Sequence, residues 1–189
     1  MAGEGDLAGA LARVPTRTMN RRLVRCVPAL DFLEGSPPSF LYTSGRPNRC
    51  NPAGVDCLYF SEGERVATLE FRRLFGSAGI ATPPKLTFVA EVDLRHVIDL
   101  EKSEVKRALD LSSHEIFQPW RGAASPTRLQ QLGGAVSRQR AVSAIRYPSD
   151  ACRRAGTKGW NLAIFPDAVA IPSGVRIIGH AGTVLEELP

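Results

Sequence analysis

Residues 85–94 read KLTFVAEVDL, and this stretch decides the fold class. Apolar side chains occupy every second position, whereas charged and polar side chains fall mostly on the alternate positions. Such alternation is typical of a β-strand with one face on the core and the other face in solvent. The stretch therefore predicts a half-buried strand near the middle of the chain. Its predicted inner face consists of Leu86, Phe88, Ala90, Val92 and Leu94.

Shorter apolar stretches on both sides predict further strands. They lie at 23–27, 58–60, 144–147, 162–165 and 175–178. The segment between the first two, residues 34–54, is rich in Gly, Pro, Ser and Asn and is predicted to be a loop. A loop of this length in a compact domain is often functional.

Three helices are predicted between the strands. Ser61, with Glu64 three residues later, has the pattern of a capping box that begins a helix ending near Gly76. Residues 101–110 form a charged helical pattern, and residues 127–139 form another that Gly133 and Gly134 are expected to weaken.

Helices and strands mixed without regular βαβ spacing indicate an α+β fold. We expect a central mixed or antiparallel sheet with flanking helices in a single compact domain, since 189 residues without repeats fit one domain. Residues 1–18 are rich in Gly and Ala and are predicted to be a flexible segment, with a short helix around Leu7–Val14. The domain itself is then expected to span residues 19–189.

Composition narrows the class of function. The net charge is +5, a mild excess that lacks the dense basic tract of a dedicated nucleic-acid binder, so we expect no direct nucleic-acid binding. The 24 basic residues comprise 20 Arg and 4 Lys, and Arg is the better bidentate partner for phosphate. Genomic codon bias toward Arg is an alternative explanation of that ratio.

Other classes are disfavoured. The four cysteines, at 26, 50, 57 and 152, lack CxxC spacing, so we expect no metal site. The sequence contains no apolar run of about 18 residues, so it predicts no membrane span. The first residues lack the basic start and apolar core of a signal peptide, so we expect a cytoplasmic protein with reduced thiols.

The first candidate site is the run Arg49-Cys50-Asn51-Pro52-Ala53-Gly54. A loop rich in Gly and Pro lets backbone amides approach a ligand closely, and an arginine in it can bind a pyrophosphate. Arg46 and Arg25 are further candidates for the same role. Asn51 either contributes to binding or holds the loop through an Asx-turn.

Three later residues complete the candidate set. Tyr59 can stack on a ring or donate its hydroxyl, or it is a core tyrosine. Glu70 lies on or beside the inward helix face with Val66 and Leu74, where a carboxylate is costly unless it is paired or used. It could stabilise a ribosyl cation or pair with a nearby arginine. Ser149 either binds ligand or caps a following helix.

At these residues the chain resembles the RES domain family, in order over roughly residues 22–180. Arg49 with Asn51 and Gly54 resembles the arginine loop of the family, although Cys50 replaces the usual tryptophan and Arg46 also fits the pattern. Further resemblances are Tyr59-Phe60-Ser61, Glu70 in its helix, Ser149 after Arg146-Tyr147-Pro148, the stretch 161–166, and Arg25 in the first strand.

The resemblance implies a fold similar to ADP-ribosyltransferase toxins and a role as the toxin of a bacterial toxin–antitoxin pair. It implies degradation of NAD by phosphorolysis or hydrolysis of the nicotinamide–ribose bond, with NAD as substrate and no prosthetic group. The implied partner is an antitoxin with an Xre-type helix-turn-helix, and inorganic phosphate is an implied acceptor. A mono-ADP-ribosyltransferase that modifies a protein and a non-catalytic nucleotide-binding module are the alternatives.

The resemblance also implies roles for the candidates. Arg49, helped by Arg25 or Arg46, would hold the pyrophosphate, and Tyr59 would pack against the nicotinamide. Glu70 would stabilise the ribosyl cation, and Ser149 would orient the ribose or the acceptor.

Overall fold

The computed structural model describes residues 4–34, 41–76, 81–179 and 182–189. Seven strands form its centre. They are β1 (Arg17–Pro28), β2 (Leu58–Ser61), β3 (Lys85–Asp99), β4 (Ala144–Pro148), β5 (Trp160–Ile164), β6 (Gly174–Ile178) and β7 (Val184–Leu188). Part of the predicted loop at 34–54, residues 35–40, lies outside the described residues.

In the described part of the chain, seven α-helices and a short 3₁₀ helix surround these strands. The α-helices are α1 (Glu4–Leu11), α2 (Ala29–Glu34), α3 (Glu64–Gly76), α4 (Ser103–Ala108), α5 (Ser113–Phe117), α6 (Arg128–Gln139) and α7 (Asp150–Arg154). The 3₁₀ helix spans Pro166–Ala168. Within the described residues, no helix is both long and apolar enough to cross a membrane.

The strands follow the order β1-β2-β5-β4-β3-β6-β7, and an additional pairing of β1 with β3 closes the first five strands into a ring. All neighbours are antiparallel except β3 and β4, which pair in parallel through 97–99 and 144–146. The long β1–β3 pairing runs from Arg17 opposite Val97 to Pro28 opposite Lys85. The expectation of an α+β fold with a mixed sheet and flanking helices is confirmed.

The alternating stretch behaves as predicted. Phe88, Ala90, Val92 and Leu94 of β3 are buried in one apolar cluster with residues of β1, β5 and β6. A second cluster joins α6 to the sheet through side chains such as Leu132 and Phe165. Two clusters arise because the two faces of the sheet are covered by different parts of the chain.

The N-terminal segment 1–18, which composition predicts to be flexible, contributes to the second cluster. Leu7, Leu11 and Val14 are each less than 10% exposed there. The helix begins earlier than the predicted Leu7–Val14, and β1 begins at Arg17, inside the predicted segment.

Gly133 and Gly134 do not interrupt α6, which runs over 128–139 as a continuous helix. A Cβ at Gly133 would lie 1.5 Å from the carbonyl oxygen of Cys50. The glycine therefore lets the loop that carries Arg49 lie directly on the helix. One turn earlier, Gln130 Nε2 donates to the Asn48 carbonyl over 2.9 Å and fixes the loop from the same side.

The capping box predicted at Ser61 is wrong. Ser61 is the last residue of β2, and its hydroxyl is directed toward Asn161 of β5, 2.7 Å away. The carbonyl of Gly63 accepts the first helical hydrogen bond, from Ala67, so α3 begins at Glu64. Its predicted end near Gly76 is confirmed.

Candidate active site

Glu70 forms the centre of the site. It lies in the second turn of α3, half-buried, and its Oε1 accepts hydrogen bonds from Ser149 Oγ at 2.6 Å and from Asn161 Nδ2 at 2.7 Å. Among the described residues it has no arginine or lysine partner, so the alternative of an ion pair with Arg72 or Arg73 does not hold. Both groups that donate hydrogen bonds to the carboxylate are neutral.

Ser149 serves two groups at once. Its Oγ accepts from the backbone N–H of Cys152 at 3.1 Å and so caps α7, while the hydroxyl proton is donated to Glu70. The interpretation of Ser149 as a helix cap therefore matches its contact with Cys152, and its binding of a ligand stays a prediction. The residue is 2% exposed, so a ligand reaches it only through the cleft beside Glu70.

Asn161 extends the network into the sheet. Because Ser61 and Asn161 are directly paired partners of β2 and β5, their side chains meet on the same face. The Asn161 amide nitrogen binds Glu70, and its oxygen lies 2.7 Å from Ser61 Oγ. Sequence reasoning did not select Asn161 as a site residue. The available signal was an amide at a buried position of an otherwise apolar strand.

Asn51 and Tyr59 hold the arginine-bearing loop together. Asn51 is fully buried, and its Nδ2 donates to the carbonyls of Arg46 at 2.9 Å and Val55 at 2.7 Å. The Tyr59 hydroxyl donates to Asn51 Oδ1 and accepts from the Cys50 N–H, both at 2.8 Å. Burial raises the pKa of Tyr59 well above its ordinary value, so the phenol stays protonated and able to donate. For Asn51, the loop-holding alternative matches its contacts.

Arg49 is 8% exposed, and its Nη1 donates to the Ile116 carbonyl over 2.9 Å. That bond uses one guanidinium nitrogen, and the side chain also lines a cavity beside Glu70. The α5 carbonyl thus orients an arginine toward the same space as the carboxylate.

The other two arginine candidates are placed differently. Arg25 of β1 donates to the Leu41 carbonyl and lines a cavity next to Glu70. Burial lowers the pKa of Arg25 to about 10, so it remains a cation at neutral pH. Arg46 is exposed and is not among the described residues that line the cavities at Glu70. Only its backbone takes part, as an acceptor for Asn51.

Two neighbouring cavities meet at Glu70. The first, here called the arginine cavity, has a volume of about 150 Å³ and is lined by Arg49, Arg73 and Arg121 among others. The second, here called the strand cavity, has a volume of about 170 Å³ and includes Ser61 and Asn161. They share four lining residues: Asn48, Glu70, Leu74 and Tyr147. A ligand could therefore span both cavities with its middle beside Glu70.

Tyr147 is a second site residue that sequence reasoning did not single out. It is 5% exposed and lines both cavities, and its hydroxyl has no hydrogen-bond partner among the described residues. Burial raises the pKa of Tyr147 well above its ordinary value, so a neutral phenol O–H faces the cleft. It is a donor available to a ligand.

A buried carboxylate supports the site from behind. Asp150 is 2% exposed and pairs with Arg73 of α3 at 2.8 Å and with Arg153 and Arg154 of its own helix at 2.6 and 3.0 Å. The Arg73 pair connects α7 to α3. The helix with Ser149 at its cap is thereby held against the helix that carries Glu70.

The electrostatics of the cleft favour an anionic ligand with a cationic reacting centre. The arginine cavity brings three guanidinium groups around one carboxylate. No group of three or more His, Cys, Asp or Glu side chains in the described part of the chain is arranged to hold a metal ion. Among the described residues that line the two cavities, the charged side chains are arginines and the single carboxylate of Glu70.

Comparison with known proteins identifies the family. The model of the RES domain family matches residues 22–183, a region that contains Glu70, Ser149 and Asn161. The fold is similar to that of a chain in the crystal structure of the M. tuberculosis MbcT–MbcA toxin–antitoxin complex, with a TM-score of 0.62. That match covers 97% of this chain and 91% of the other at 14% sequence identity, so it is a likeness of fold. No curated protein sequence matches the chain. Since the family model spans most of its length, the chain belongs to the RES domain family.

Proposed function

We propose that this protein is the toxin of a toxin–antitoxin pair and that it degrades NAD by cleaving the nicotinamide–ribose bond. The observation that carries this proposal is the Glu70 carboxylate, oriented by Ser149 and Asn161 and placed where the arginine cavity meets the strand cavity. Membership in the RES domain family supports it, since toxins of this family generally consume NAD.

The reaction uses the carboxylate electrostatically. As the C–N bond breaks, its electron pair passes to the nicotinamide ring nitrogen, and positive charge develops on the ribose. A carboxylate whose direct hydrogen-bond donors are neutral stabilises this charge, and its fixed orientation avoids reorganisation during the reaction. An oxygen of water or inorganic phosphate then bonds to the anomeric carbon, and any proton that this oxygen carries passes to solvent.

Charge distribution orients the substrate. The pyrophosphate carries two negative charges, and Arg49, Arg73 and Arg121 surround the arginine cavity. Arg25 lines only the strand cavity, so the pyrophosphate contacts are assigned to the arginine cavity. The nicotinamide amide fits the strand cavity, where Ser61 and Asn161 are polar and Tyr59 and Phe71 supply ring surfaces.

The partner is proposed to be an antitoxin, supported by the fold shared with a chain of a toxin–antitoxin complex. By family resemblance this antitoxin carries an Xre-type helix-turn-helix. A toxin that consumes NAD acts in the cytoplasm, where its substrate is present.

The experiment is an assay of purified protein, free of antitoxin, with NAD in the presence and absence of inorganic phosphate. Nicotinamide release and the second product are followed by chromatography. A phosphorylated ADP-ribose that appears only with phosphate identifies a phosphorylase, and free ADP-ribose identifies a hydrolase. Label from NAD that stays on protein would establish the ADP-ribosyltransferase instead, and no release from folded protein would contradict NAD degradation.

A further inference from the structure

We infer that Trp120 and Arg121 bind the adenosine phosphate end of the dinucleotide. This inference rests on the proposed function and specifies where the non-reacting half of the substrate lies. Neither residue belongs to a motif that the sequence analysis singled out as part of the site. Both lie in the segment between α5 and α6 and line the arginine cavity with Arg49 and Glu70.

The position of Glu70 sets the direction in which the substrate lies. Glu70 lines both cavities, so the bond that breaks lies at their junction. With the nicotinamide in the strand cavity, the remainder of the molecule extends into the arginine cavity. The pyrophosphate comes first along the molecule and meets Arg49 and Arg73, and the purine nucleoside lies farther out. Trp120 and Arg121 line the arginine cavity but not the strand cavity, and Arg121 also lines a further groove, so we assign the outer end to them.

Trp120 offers an aromatic ring on which a purine can stack. Trp120 is half-buried, and the Arg121 guanidinium carbon lies 5.0 Å from the centre of its indole ring. The guanidinium lies over one face of the indole, and we assign the purine to the other face, because bases stack on aromatic side chains.

The three arginines that line the arginine cavity differ in the partners that they already have. Arg49 is bonded to the Ile116 carbonyl and Arg73 is paired with Asp150, so both are partly committed to protein groups. Arg121 is exposed and forms no ion pair with any described residue. It is the cation in this cavity most available to a phosphate oxygen.

A larger groove adjoins the arginine cavity. Beyond the arginine cavity, Pro119 and Arg121 also line a groove of about 690 Å³ between the same segment and α6. The groove presents Gln118 and Gln131, whose amides can donate to and accept from a purine edge or a ribose. Pro119 and Arg121, the two neighbours of Trp120 in sequence, line both spaces, so a nucleoside at Trp120 lies next to this groove.

Tryptophan fluorescence tests the inference without any turnover, because the chain contains only two tryptophans, at 120 and 160. Trp160→Phe leaves Trp120 as the single indole, and titration with AMP is expected to quench its emission. Ribose 5-phosphate, which has the phosphate but no purine, is expected to leave the emission unchanged. The matched protein, Trp120→Phe, keeps Trp160 and is expected to show no quenching by AMP. Unquenched emission in Trp160→Phe, or equal quenching in both variants, would overturn the inference.

Steady-state kinetics give a second readout. Trp120→Ala is expected to raise KM for NAD about tenfold, the loss expected from one stacked base, with little change in kcat. Trp120→Phe should restore most of that affinity, and KM for nicotinamide mononucleotide, which lacks the adenosine, should not change. Arg121→Ala should also raise KM, whereas the exposed arginine of α4 provides a control in Arg107→Ala. An equal rise for both substrates would overturn the adenosine assignment. If neither substrate is cleaved by the unmodified protein, the proposed function fails, and the AMP titration still decides the inference.

Discussion

Ser149 connects the end of one helix to the carboxylate of another. Its Oγ accepts from the Cys152 N–H at 3.1 Å and donates to Glu70 Oε1 at 2.6 Å, across 79 positions of sequence. The helix cap fixes the direction of the hydroxyl proton, because the lone pair used by Cys152 orients the oxygen. Glu70 consequently receives a donor whose position is determined by α7.

We expect Glu70→Gln to reduce kcat for nicotinamide release by about 100-fold or more, the effect typical of losing a main electrostatic contact to the transition state. The fold should persist, since only Oε1 accepts from Ser149 and Asn161, and the carbonyl oxygen of glutamine can accept both bonds. Nicotinamide release and thermal unfolding measure the two effects. Glu64→Gln, an exposed change in the same helix, is the control, and full turnover by folded Glu70→Gln would contradict the assignment.

Ser149→Ala should lower both stability and activity. Loss of the cap costs about 1 kcal/mol of unfolding free energy, and loss of the donor to Glu70 should lower kcat about tenfold, the equivalent of about 1.4 kcal/mol. Ser112→Ala removes the capping hydroxyl of α5, which does not contact Glu70, so it should cost similar stability and leave kcat unchanged; since α5 also carries the Ile116 carbonyl that binds Arg49, a change in KM is expected for this variant. Urea unfolding and steady-state kinetics on both variants compare them. Equal kcat in the two variants would show that the Glu70 contact is catalytically silent.

Gly133→Ala should displace the loop that carries Arg49. The added methyl would lie 1.5 Å from the Cys50 carbonyl oxygen, which is backbone and must move together with its neighbours. We expect a loss of about 2 kcal/mol in unfolding free energy, typical of overpacking, together with a fall in kcat/KM. Gly9→Ala lies within α1, where the methyl meets no atom within 4 Å, and should stabilise by about 0.5–1 kcal/mol. Wild-type kcat/KM in Gly133→Ala would show that the loop position is unimportant.

Stability should depend on pH through Asp150. Burial acts to raise the pKa of this carboxyl, but hydrogen bonds from Arg153 and Arg154 and the charge of Arg73 outweigh it, and the pKa is lowered. The stabilisation from a lowered pKa is complete above the unfolded value of about 4 and is lost as pH falls through the folded value. The difference in unfolding free energy between the unmodified protein and Asp150→Asn should therefore shrink from pH 7 to pH 3. Urea unfolding at pH 7, 5 and 3 measures it, and a constant difference would contradict this account.

Local patterns predicted many of the elements. The alternation at 85–94 lies within β3, and the helical pattern at 127–139 matches α6 to within one residue. The sequence patterns that predict helix N-caps were less reliable than the hydrophobic patterns. The pattern at Ser61 and Glu64 is not a capping box, whereas Ser112 with Glu115 is one and begins the short α5, which was not predicted. A serine hydroxyl binds whichever partner the tertiary structure brings near, and the sequence pattern does not show that partner.

The sequence likewise does not show which arginine side chain faces the site. Sequence composition indicates phosphate chemistry but does not distinguish Arg46 from Arg49. In the structure Asn51 donates to the Arg46 carbonyl, and the Arg46 side chain is exposed. The Arg49 side chain is instead buried and donates to the Ile116 carbonyl. Trp120 and Tyr147 have no local signal for a place in the cleft, since an aromatic residue in a loop or a strand is equally typical of core packing.

The sequence by itself determined the α+β class and the strand of 85–94, because hydrophobic period depends only on which face of a local element meets water. It also determined the order of Arg49, Glu70 and Ser149, on which the family resemblance rests. Only the tertiary structure decided that Asn161 meets Glu70 across 91 positions. That contact exists because β2 and β5 pair in the register that sets Ser61 opposite Asn161, and such long-range register depends on packing of the whole sheet.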